Sequence, residues 1–161
     1  MSPKEYNSCV DQYADSVYRF ILRNTGDEDT ARDIVQEAFA RLWEKAKGID
    51  FSKSRSYLFT TAYHAMIDHF RRNRRYSDQE PVESDQVAVA EPNPDLQEIL
   101  QQALAKLPAV QRSVVMLRDW EGYNYQEIGE ITGLNESQVK VYIYRARQFL
   151  KKYLVDIEYV L

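Results

Sequence analysis

The chain has 161 residues, 44% of them hydrophobic and 12% aromatic, and a formal charge of −4 at pH 7. This composition belongs to a folded protein and excludes a disordered or fibrous one. The single cysteine, Cys9, excludes an internal disulfide, and no run of about 18 apolar residues is present to cross a membrane. Nothing near the N-terminus resembles the basic start and apolar stretch of a secretory leader, so a cytoplasmic location is expected.

The net charge hides a sharp local reversal, which matters because fields act only within a Debye length of about 8 Å. Residues 51–76 carry six basic side chains and one acid, whereas residues 77–100 carry seven acids and no lysine or arginine. The second stretch also holds three of the five prolines, Pro81, Pro92 and Pro94. On either side, apolar residues recur at helical spacing and almost nowhere alternate. The sequence therefore predicts an all-α protein: two small helical domains, 1–76 and 95–161, joined by an acidic flexible linker over 77–94.

In the first half, "GDEDTARDIVQEAFARLWEKAKG" begins with acids suited to a helix N-terminus and ends with Lys45, Lys47 and Gly48, which suit a C-terminus. Its periodicity places Ile34, Val35, Ala38, Phe39, Leu42 and Trp43 on one broad buried face. Asp33, Gln36, Glu37, Arg41 and Glu44 are left toward solvent or a partner. A third helix is expected to start near Ser54 or Ser56 and to bury Leu58, Ala62, Ala65 and Phe70. It closes on Arg71, Arg72, Arg74 and Arg75, a cluster that complements the helix dipole and equally suits nucleic acid. Upstream aromatics Phe51, Tyr57, Phe59 and Tyr63 could stack on exposed bases beside a basic groove, although Phe59 reads better as core.

The second half opens with Asp95 as N-cap and a stripe of Leu96, Ile99, Leu100, Ala103, Leu104 and Leu107, after which Pro108 suits the first position of the next helix. In "NYQEIGEITGLNESQVKVYIYRARQFLKK", Asn124 with Glu127 caps one short helix and Gly133 ends it in the left-handed conformation. Asn135 with Gln138 then caps another only two residues later. Ile128, Ile131, Leu134, Val139 and Ile143 are spaced to pack inside the crossing, and Gly129 permits close approach. This is a helix-turn-helix, whose second helix can lie in the major groove of duplex DNA. Its inward stripe is Val139, Ile143, Ala146, Leu150 and Tyr153. Ser137, Lys140, Val141 and Tyr144 face outward, with Lys140 as the expected base contact. Arg145, Arg147, Lys151 and Lys152 would meet phosphates.

Catalytic groups do not converge. His64 and Asp68 share a helix face, but His69 points about 100° farther on and no third metal ligand is evident. Cys9 is isolated, and no glycine-rich phosphate loop or nucleophile elbow is present. The competing binding-module reading is a self-sufficient helix-turn-helix regulator that binds a pseudo-palindromic site as a dimer.

Taken in order, "DEDTARDIVQEAFARLWEK", "YLFTTAYHAMIDHFRRNRR" and "LPAVQRSVVMLRDWEGYNYQEIGEITGLNESQVKVYIYRARQFL" resemble the two domains of bacterial extracytoplasmic-function (group four) RNA polymerase sigma factors. The resemblance covers nearly the whole chain outside the linker and the extreme ends. It implies a non-enzymatic protein, without cofactor or metal, that binds core RNA polymerase, directs it to promoters and promotes DNA melting. Asp33, Gln36, Glu37 and Arg41 would dock on the beta-prime clamp helices. The third helix and the loop before it, with Lys53, Arg55, Tyr63, His64, Arg71, Arg72, Arg74 and Arg75, would capture the minus-ten element as single strand. Ser137, Gln138, Lys140, Val141, Tyr144, Arg145 and Arg147 would read the minus-thirty-five element as duplex. An anti-sigma factor is a further partner implied by the resemblance. Tyr63 and His64 stand where the family often has Arg-Asn, and Tyr142 where arginine is common. The C-terminal "VDIEYVL" runs past the family's usual end. The acidic linker would thread toward the RNA path, and in the free protein residues 77–95 could shield both basic patches.

Overall fold

The computed structural model describes residues 1–77 and 95–160. These form α1 (Pro3–Thr25), α2 (Glu28–Glu44), α3 (Ser54–Ser77), α4 (Leu96–Lys106), α5 (Ala109–Asp119), α6 (Tyr125–Thr132) and α7 (Glu136–Val160). Two short 3-10 turns, Ala46–Gly48 and Phe51–Lys53, lie between α2 and α3. The described residues contain no strand, as the periodicity predicts. The acidic stretch 78–94 and the side chain of Arg75 lie outside the described residues.

Local chemistry fixes the helix ends. Ser2 and Glu5 form a reciprocal capping box at the start of α1, and the helix stops at Gly26, whose φ of 69° costs little without a side chain. Asp27 then caps α2 through the amides of Asp29 and Thr30, and its bonds from Thr30 hold the carboxyl below the usual range. With one glycine and one cap between them, α1 and α2 must fold back as a hairpin. Two boundaries differ from the sequence expectation. Helix α2 ends at Glu44, before Gly48, because the chain tightens into the 3-10 turn at Ala46. Pro108 is the N-cap of α5 and not its first residue: its ψ of 143° is extended while its carbonyl accepts from the Arg112 amide at 3.0 Å.

Val17, Phe20 and Ile21 of α1, Ile34, Ala38 and Leu42 of α2, and Leu58, Phe59, Ala62 and Met66 of α3 form the first bundle's core. Trp43 departs from the expected buried face and is 54% exposed, while Val35, Ala65 and Phe70 are only partly buried. In the second half Ile99, Ala103, Leu104 and Leu107 are buried as expected, but Leu96 is 73% exposed in the first turn of α4. The segment "VDIEYVL" extends α7 through Val160.

The helix-turn-helix is capped as its sequence requires. Asn124 and Glu127 bond reciprocally at 2.8 and 2.9 Å, Asn135 and Gln138 at 2.8 and 3.0 Å, and Gly133 has φ 81°. Ile128, Ile131, Val139 and Ile143 are buried inside the crossing, with Leu134 partly so. Gly129 meets the turn backbone: a Cβ there would lie 2.9 Å from the Leu134 carbonyl oxygen.

The two halves dock. Helix α1 packs on α4 and α5, and α3 packs on α6, so one apolar cluster runs through both. At one end of the junction the Asn24 amide oxygen accepts from Ser113 Oγ at 2.9 Å and from Arg112 Nε at 3.3 Å. At the other end Phe59 meets Tyr123 edge-on, with ring centroids 5.7 Å apart.

The contact beneath Gly129 predicts that Gly129→Ala lowers unfolding stability by about 1–3 kcal/mol, since the backbone it strikes cannot swing aside. Urea denaturation of the full chain measures it.

Candidate nucleic-acid interfaces

Three exposed surfaces contain most of the sequence-predicted residues. On α2, Asp33, Gln36, Glu37 and Arg41 are all exposed, and Glu37 accepts from Arg41 at 2.6 Å. Trp43 joins this face. Its ring packs edge-on against Tyr6 at 4.9 Å, and the Tyr6 hydroxyl donates to the Phe39 carbonyl at 3.0 Å, so the indole is held from below and open above. Helical periodicity alone puts Trp43 on the broad buried face. Counting about 100° per residue places it roughly 140° around the helix from Ala38, which was the available signal.

The second surface lies on α3 and the turn before it. Lys53, His64, Arg71, Arg72 and Arg74 are exposed, with Arg71 4.0 Å from Asp68. Tyr63 is 4% exposed, so in this arrangement its ring belongs to the bundle core, and burial pushes its hydroxyl above the ordinary tyrosine value. Phe59 is fully buried, as expected, between Phe20 and Tyr123. Arg55 is drawn into the junction. Its guanidinium donates to the Glu121 carbonyl at 2.9 Å and carboxylate at 3.0 Å, and lies 4.4 Å from the Tyr123 ring centroid. Burial pushes the Glu121 carboxyl above its ordinary value, against the lowering pull of Arg55, Arg23 and Arg19. His64, Asp68 and His69 form no metal-binding group, and none exists among the described residues.

The third surface is the start of α7. Ser137, Gln138, Lys140, Val141, Tyr144 and Arg145 are all exposed, over the inward stripe of Val139, Ile143, Ala146 and Leu150. Gln138 is committed to capping Asn135. Lys140 is positioned by Glu136 at 3.5 Å and by the Tyr125 ring, whose centroid is 5.6 Å away. Arg147 is paired with Asp119 at 2.5 and 3.1 Å, and that bond holds its guanidinium above the ordinary value. Val141 and Tyr144 give this basic face an apolar centre, 44% and 65% exposed, suited to base edges and thymine methyls.

Two known families match the chain, Sigma-70 region 2 over residues 9–76 and Sigma-70 region 4 over residues 97–150. The ECF RNA polymerase sigma factor SigM of Bacillus subtilis is 33% identical over 144 residues, covering 86% of this chain and 88% of SigM. SigW of the same organism is 30% identical over 164 residues, covering 92% and 88%. SigE of Mycolicibacterium smegmatis is 33% identical over 157 residues, covering 92% of this chain but only 61% of SigE. The fold is that of the sigma factor RpoE from Bartonella quintana, solved in complex with the anti-sigma factor NepR. That likeness has a TM-score of 0.79 at 22% identity and covers 94% of this chain and 97% of RpoE.

Because Asp119 neutralises Arg147, Asp119→Ala should free one phosphate contact. The log–log salt dependence of duplex DNA binding should steepen by roughly 0.9 if Arg147 reaches the backbone. Filter or anisotropy titrations at several salt concentrations read this slope.

Proposed function

The chain belongs to the extracytoplasmic-function (ECF) family of RNA polymerase sigma factors, which serve promoter-specific transcription initiation, and from that premise we propose how its surfaces divide the work. Residues 1–76 form the polymerase- and minus-ten-binding domain, residues 95–161 the minus-thirty-five-binding domain, and 77–94 the acidic connection. The observation that carries this reading is that each matched region coincides with a half presenting a surface of the right chemistry. A mixed polar face with one open indole suits a protein partner. An arginine-ended helix suits a melted strand. The capped helix-turn-helix suits a major groove.

The exposed face of α2 docks on the beta-prime clamp helices of core polymerase, with Asp33, Gln36, Glu37 and Arg41 supplying polar contacts and Trp43 the apolar anchor. Lys53, Arg55, His64 and Arg71, Arg72, Arg74 and Arg75 hold the minus-ten strand, and Tyr63 joins them once its ring is uncovered. Ser137, Gln138, Lys140, Val141, Tyr144, Arg145 and Arg147 face the duplex minus-thirty-five element. Arg145 and Arg147 contact phosphate, and Lys140 reads a base. The chain performs no chemistry; polymerase does. Placement in group four, action in the cytoplasm and control by an anti-sigma protein belong to the same reading, the last supported by the complex in which the similar Bartonella protein was solved.

The decisive experiment is in-vitro transcription from a genomic promoter library with core polymerase and the purified chain. Specific transcripts are expected only when both are present, and duplex binding by the chain alone as a dimer on a palindrome would refute the reading. Trp43→Ala should weaken core binding by about 2 kcal/mol, more than Gln36→Ala or Glu37→Ala, with the fold intact by circular dichroism. Lys140→Ala should cost about 1–3 kcal/mol of promoter discrimination in competition binding, whereas a uniform loss across sequences would mark a phosphate contact.

A further inference from the structure

Arg55 belongs to the proposed minus-ten surface, yet in this structure it is occupied. Glu121, on the turn after α5, enters a corner formed by Arg55 of α3 and Arg19 and Arg23 of α1, all from the other half. Its side chain is 12% exposed and that of Arg55 32%, so the pair is largely withdrawn from water. A carboxylate oxygen accepting from the Arg55 Nη2 at 3.0 Å takes up a donor that a phosphate oxygen could use. Arg19 also pairs with Asp15 on its own helix, whereas the Arg55 guanidinium lies against both the Phe59 and Tyr123 rings and bonds to Glu121 twice.

The contact has a geometric consequence. Elements centred near minus ten and minus thirty-five lie about 25 base pairs apart, roughly 85 Å along B-DNA. Here α3, on the minus-ten side, packs directly on α6 of the helix-turn-helix, with Phe59 and Tyr123 5.7 Å apart. A compact chain of this length has a radius of gyration of about 15 Å, so both surfaces cannot meet their elements while docked. The connection is long enough to allow separation: the residues between Ser77 and Asp95 can span up to about 60 Å. An open cleft of about 550 Å3, lined by Arg19, Arg23, Leu100, Leu104 and Trp120, runs along the junction.

We propose that the docked halves are a closed resting form in which Glu121 stands in for a DNA phosphate on Arg55, so that the minus-ten arginines become complete only when the halves separate. This rests on the sigma-factor reading for the identity of the DNA, but the closure itself is a property of the free chain. A second contact holds the far end. Asn24 of α1 accepts from Arg112 and Ser113 of α5, and Gln101 of α4 donates to the Arg23 carbonyl at 3.0 Å.

Small-angle scattering and DNA titration of the full-length protein test this. Wild type should show a radius near 15 Å. Glu121→Lys, which sets like charges face to face in the arginine corner, should extend beyond about 20 Å and bind a single-stranded minus-ten oligonucleotide roughly fivefold or more tightly in the absence of polymerase. Arg55→Glu combined with Glu121→Arg should return the chain to the compact radius, which separates loss of the latch from loss of fold. With saturating core polymerase, Glu121→Lys should transcribe at the wild-type level. The proposal is overturned if wild type is already extended, if Glu121→Lys keeps the compact radius, or if it extends without gaining affinity. If neither protein initiates transcription with core polymerase, the sigma-factor reading fails while the radii still decide closure.

Discussion

The structure depends on how two helical units, each of roughly seventy residues, bury enough apolar surface to be stable. Units of that size leave a large share of their surface in water, because the fraction removed on folding falls with decreasing chain length. The cluster of buried residues is correspondingly continuous, running from Cys9 of α1 to Leu150 of α7. The link between the halves is an aromatic series, Phe20 to Phe59 to Tyr123, at centroid distances of 5.4 and 5.7 Å. Such edge-to-face pairs add about 0.5–1.5 kcal/mol each beyond their burial.

The junction also holds buried polar contacts, and these fix its geometry. Arg112 is buried, and its guanidinium is held by the Asn24 amide oxygen and by the Leu104 carbonyl at the C-terminal end of α4, where the helix dipole is negative. Burial pulls its pKa below the ordinary arginine value. Groups of this kind contribute little net free energy when docked, because water would satisfy them equally well once apart, but they impose one geometry. Polar contacts that water can replace suit an interface that forms and releases.

Each proposed reading surface also carries an internal partner that tempers its charge. Asp119 holds Arg147, Glu136 holds Lys140, Glu37 holds Arg41 and Glu121 holds Arg55. The first three pairs are solvent-exposed and weak, so an incoming partner competes with them easily. The fourth is shielded and bridges the two halves, so displacing it requires moving a domain.

The helices, the two halves and the helix-turn-helix are legible in the order of residues alone. Those features rest on local chemistry: the caps at Asn124 and Asn135, the left-handed glycine at 133, and apolar spacing along α3 and α7. The sequence also indicated which outward residues of α2 and α7 could meet a partner, because a helix wheel separates inside from outside. It misjudged Trp43 and Leu96, where a wheel position or a helix's first turn had to be weighed against neighbours that sequence cannot supply. That Arg55 faces Glu121, 66 positions away, and that Asn24 meets Arg112, 88 positions away, emerges from helix packing. Contacts so distant along the chain carry no periodicity, since they arise from how finished helices pack and not from how each one forms.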